Sequence, residues 1–319
     1  MRFAAASIFA LLLAVPASAQ RWQLQSNFWV SLHQTMLDAA QNGKALEAPM
    51  TPDERSAWNN AVHEYRIRFY ERSLIFDDEL VKINDGLSSA GELPPEGFAE
   101  VVTKALLSAA PVYRKHRWAT DDRTNQFWIS IAEGMLRDTG EELVREHARI
   151  YGAQFPSRVT VDVTPAAGLL GAYTTLNSNG LVHVTISSRD QRYQGYAALE
   201  MLLHEASHAV VGATTGAIGS EIQNVARNNG MLAPRELWHA ILFYTSGELA
   251  RRVLRERGIT DYVPYIYRQS MFDRGYLAFK QPLETFWQSY LDGRMDRGSA
   301  ITAIVKATGT LPPARVRGL

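Results

Sequence analysis

Residues Tyr196–Val211 form the stretch that most restricts how this chain folds. It has no proline and no internal glycine. Leu199, Leu202, Leu203, Ala206 and Val210 recur at three- and four-residue steps, which predicts a helix with a core-facing stripe. Gly195 precedes it and Gly212 ends it. The same helix carries His204-Glu205-Ala206-Ser207-His208. Two histidines four apart share a helical face, so both imidazoles can reach one metal ion. Glu205 points about 100° round the axis from His204, where it can take a proton from an attacking water.

The chain has 319 residues, no cysteine, and 33 basic against 33 acidic side chains. A metal site must then be built from His, Asp, Glu and water, without thiolates or a disulfide framework. The balanced charge gives no basic surplus that would favour nucleic acid or an anionic membrane. A hydrophobic content of 46% supports a packed core. Met1-Arg2, the apolar run Phe3 to Val15 and Pro16-Ala17-Ser18-Ala19 read as a signal peptide cleaved after Ala19. The expected location is therefore periplasmic or extracellular. No later apolar stretch reaches the roughly 18 residues of a membrane span, so stable membrane insertion is not expected.

The pattern beyond the leader divides in two. Residues 20–155 read as a helical N-terminal lobe, with helical spacing over 27–41, 53–83, 96–108 and 123–151. Phe28-Trp29 and Phe127-Trp128 open similar strings, as two amphipathic helices with like buried faces would. Residues 156–319 read as a metal-binding catalytic lobe. Arg158–Thr164 alternates as a strand, and Ala172–Leu176 and Leu181–Ser187 flank an Asn/Gly-rich turn as a hairpin. Helical segments are expected at about 218–229, 234–257, 265–279, 283–292 and 298–308. The fold class is α+β and mostly helical: helices, a small antiparallel sheet, the histidine helix, then more helices, as one continuous unit.

Over residues 158–256 this order of sheet, hairpin, H-E-x-x-H helix and acid-bearing helix resembles the gluzincin branch of the zincin metallopeptidases. The resemblance implies Zn²⁺ held by His204 and His208, Glu205 as general base, and an edge strand within 181–187 that pairs with an extended peptide or protein substrate. The metzincin pattern is absent, because Val211 and Thr214 stand where it requires His and Gly positions to continue. A catalytic zinc wants a third protein ligand. Glu248 is the first candidate, beside the small Gly247, ahead of His239 and Glu236. His239 and Glu248 lie about 13 Å apart on opposite faces of one helix, so one ion cannot take both. His239 is also a candidate donor to a transition-state oxyanion, as are Tyr244, Tyr265 and Tyr267. Glu221 reads as a solvated helix residue. The function expected is an exported zinc-dependent hydrolase cleaving peptide bonds; the alternative is an exported metal-binding or interaction protein without turnover.

Overall fold

The computed structural model describes residues 21–91, 96–176 and 180–311; the expected signal peptide lies outside them. Strand β1, Trp22–Gln25, is followed by helix α1, Phe28–Asn42. Asn27 caps α1 by accepting the backbone N–H groups of Trp29 and Val30, and Gly43 closes it in the left-handed conformation. Helix α2, Pro52–Phe69, opens on a capping box between Thr51 and Glu54, with proline in its first turn. The expected helical stretch 53–83 is not continuous. Asp77 accepts from the N–H groups of Glu79 and Leu80 and starts a separate helix α3, Asp78–Ala90.

The next three helices run without leaving helical conformation. They are α4 (Glu100–Tyr113), α5 (Ala119–Met135) and α6 (Glu141–Tyr151), joined through π-turns at Arg114–Trp118 and Leu136–Gly140. The expected segments 96–108 and 123–151 thus join into one run; Pro111 sits inside α4, and the first wide turn begins three residues after it. Phe28 and Trp29 are both buried, whereas Phe127 is 67% exposed and only Trp128 is buried. The two aromatic pairs therefore do different things.

Strands β2 (Val159–Thr164), β3 (Ala172–Leu176) and β4 (Val182–Ser187) complete a four-stranded sheet of order β1-β2-β4-β3. The sheet is mixed. β1 and β2 pair parallel, as do β2 and β4, and only the expected hairpin β3–β4 is antiparallel. β4 is an interior strand with all six residues buried, so the expected edge within 181–187 is corrected: β1 and β3 are the edges of the sheet. Its side chains alternate between two faces. Thr174, Val182, Val184 and Ile186 look toward helix α7, Tyr196–Val211. Tyr173, His183 and Thr185 look toward the N-terminal helices. There Gln34 donates to Tyr173, Asn84 donates to Thr185, and His183 sits between Asp85 and Asp162.

Helices α8 (Ala217–Asn228) and α9 (Leu237–Glu256) follow, then short helical segments between Tyr265 and Leu291, and α10, Arg297–Thr308. Buried apolar side chains form two clusters among the described residues. One joins α1 to α4 and includes Leu32, Phe69, Leu106 and Tyr113. The other takes in Trp22, Trp128, the sheet, α7 and α9. Part of the span expected as the helical lobe thus packs with the sheet. No helix among the described residues is long and apolar enough to cross a membrane.

Candidate metal centre

Helix α7 is buried along nearly its whole length, from Ala197 to Ser207. The helical repeat turns His204 and His208 to one side, where α9 packs across. His239 lies in the first turn of α9 and completes a triangle. The ring centroids are 5.0 Å apart for His204 and His208, 5.4 Å for His204 and His239, and 5.2 Å for His208 and His239. One nitrogen of each ring lies within 4.8 Å of the others, and this group could hold a metal ion. Three nitrogens around a tetrahedral ion of zinc's bond length would stand about 3.3 Å apart, inside that limit.

Two further observations fit an ion. The Nδ1 of His204 is buried without a hydrogen-bond partner. All three imidazoles are also held neutral, with lone pairs available. Burial pushes His204 well below its usual range, His208 down to about 4 and His239 down to about 3, and neighbouring imidazoles add to the effect on His204 and His239. The group is open on one side. His208 and His239 keep 24% and 25% of their side chains exposed, against 2% for His204.

Aromatic rings brace the histidines. Trp238 stacks on His239 at 4.8 Å and 14°. Phe243 lies 4.0 Å from His204 and 4.7 Å from His239, and Tyr265 stacks on Phe243 at 5.6 Å. The hydroxyl of Tyr276 is 3.1 Å from Nδ1 of His239. Sequence reasoning missed Tyr276; it belongs to no motif and is separated from His239 by 37 residues. Glu205 is 5% exposed, and its Oε2 is 3.9 Å from Nε2 of His208. Burial pushes its carboxyl up to about 7, against the opposing hydrogen bond from Thr174.

Glu248, the first candidate for third ligand, lies outside the histidine group. It is buried on the opposite face of α9 and ion-paired with Arg251. Gly247 does permit a close approach, but to a different neighbour. A Cβ there would stand 2.5 Å from Cβ of Pro264 and 3.0 Å from Oε1 of Glu200. Glu200 in turn accepts the backbone N–H of Tyr265 at 2.9 Å and the hydroxyl of Tyr262. Glu236 is half exposed at the start of α9, with Oε2 4.0 Å from Nδ1 of His239. Glu221 pairs with Arg297 at 2.8 Å. Tyr244 donates to Gln288 and Tyr267 to Glu284, so both turn toward the 283–291 segment.

Compared with known proteins, the chain matches no family model, no curated protein and no solved structure.

Proposed function

We propose that this chain is an exported zinc-dependent hydrolase acting on peptide bonds, with His204, His208 and His239 as the metal ligands and Glu205 as general base. The observation that carries the reading is the triangle of neutral imidazoles with a buried carboxylate 3.9 Å from one of them. Three histidines leave one position of a tetrahedral ion free for water or substrate, as hydrolytic sites require. The H-E-x-x-H helix and the resemblance to gluzincins support the same chemistry, here with His239 in place of the glutamate that the resemblance implied.

A zinc ion held there lowers the pKa of water toward neutrality and polarises a carbonyl. The chain's own part is to aim and to move protons. His204 is sealed by Phe243 and His239 is braced by Trp238 and Tyr276, so both rings are held in place. Glu205 takes a proton from the attacking water and gives it to the departing amine nitrogen. Its carboxyl, poised near 7, suits both halves of that exchange at neutral pH.

The experiment is Glu205→Gln in the full chain supplied with zinc. Zinc content is expected to stay at one per chain, while hydrolysis of a random-sequence peptide mixture falls by about 100-fold or more. Undiminished hydrolysis would remove Glu205 from the role assigned. Zinc bound at full occupancy with no peptide cleaved by the unmodified chain, and no hydroxamate binding, would favour a metal-binding protein without turnover.

A further inference from the structure

Thr174 occupies the middle of the edge strand β3 and faces α7, opposite Val184 in the ladder. Its Oγ1 is 2.6 Å from Oε2 of Glu205 and 2.9 Å from the backbone carbonyl oxygen of the same residue. That Oε2 is also the oxygen 3.9 Å from Nε2 of His208. We propose that Thr174 is a positioning residue for Glu205, fixing the oxygen that faces the histidine group. The inference rests on the reading of Glu205 as the base and deepens it.

A glutamate carboxylate turns freely about its last bond, with no sharp rotamer of its own. Burial alone does not fix which oxygen faces His208. Thr174 can, because its own position is fixed twice over. Its β-branched side chain is stiff at χ1, and its backbone is held in register by β4. Misplacing a reacting group by about 1 Å costs on the order of 100-fold in rate, so a single well-held contact matters.

A hydroxyl also suits the work better than a fixed donor. It carries one hydrogen and two lone pairs. While Glu205 is a carboxylate, the Thr174 hydroxyl donates to Oε2. Once Oε2 has taken a proton from water, the hydroxyl hydrogen can turn to the Glu205 carbonyl oxygen, and the Thr174 oxygen then accepts from Oε2–H. The proton stays on Oε2 until it leaves for the amine, and no bond to Thr174 is made or broken. An ammonium or a backbone N–H, which can only donate, could not accept from Oε2–H.

The test compares Thr174→Val, which keeps the shape and removes the hydroxyl, with Thr174→Ser, which restores it. Each is prepared as the full chain with one equivalent of zinc. The first readout is the infrared carboxyl band of Glu205, identified by subtracting the Glu205→Gln spectrum. The second is kcat and KM on the best-cleaved peptide of a random mixture. The valine variant should keep its zinc, show a shifted band, and lose about 10- to 100-fold in kcat, with KM changed by about twofold or less. Serine should return the band and kcat to near wild type. A valine variant with an unmoved band and wild-type kcat overturns the proposal, and so does a serine variant that matches a folded valine variant. If valine prevents folding, Thr174→Ala replaces it with the same criteria. A band that shifts in a chain that cleaves no peptide would leave the placement of Glu205 standing and remove the hydrolase reading.

Discussion

Tyr276 sets its hydroxyl 3.1 Å from Nδ1 of His239, a member of the histidine group. The contact constrains the ring's orientation. Tyr276→Phe should therefore weaken zinc binding by about 10-fold, with the fold retained. Competition against a coloured chelator measures it; an unchanged dissociation constant would show that His239 needs no such brace.

His239 and Glu248 give opposite outcomes when altered one at a time. His239→Ala removes a member of the histidine group and should abolish stoichiometric zinc. Glu248→Gln breaks the contact with Arg251 on the other face of α9 and should leave zinc content unchanged, whatever it does to stability. Elemental analysis of both purified variants decides between them.

His183 gives the fold a pH dependence of known sign. Burial works against its positive charge, but the hydrogen bonds and charges of Asp162 and Asp85 outweigh it and raise the group from 6.5 to about 9. A raised value means stabilisation that is complete below about 6.5 and lost as pH climbs through 9. The contribution is at most about 3 kcal/mol. Urea unfolding at about pH 6 and about pH 10 should show this loss in the wild type and not in His183→Gln. Equal pH dependence in both would mean that the imidazolium does not join α3 to the sheet as described.

Gly247→Ala should destabilise the chain by about 1–3 kcal/mol, because the new methyl meets the Pro264 ring at 2.5 Å and the hydrogen-bonded carboxylate of Glu200 at 3.0 Å. Chemical denaturation measures it. A neutral result would mean that the 262–265 segment yields more easily than its bonds to Glu200 indicate.

What lies within one helix was legible in the sequence. The 3.6-residue repeat alone puts His204 and His208 on one side of α7, and the apolar stripe through Leu199, Leu202 and Ala206 says which side is inward. The choice between His239 and Glu248 was not legible, because it depends on how α9 is rotated about its own axis. That rotation is set by Gly247 meeting Pro264 and Glu200, residues from two other parts of the chain. β1 escaped for a related reason. Four residues carry too little periodicity, and the partner of Trp22 is Val159. The hairpin β3–β4 was readable from its turn residues, but its edge was not, since β2 joins β4 by a parallel pairing that no local signal announces. The gap left between the expected helices 96–108 and 123–151 is filled by a π-turn through which the helix continues.

The helical run from Glu100 to Tyr151 enters both apolar clusters, through Leu106 and Tyr113 at one end and Trp128 and Leu143 at the other. The halves of the molecule therefore share one helical run, and a movement of one against the other would have to bend it. The segments that border the histidines, 213–215 after α7 and 229–236 before α9, are exposed or half-buried and lie outside that run.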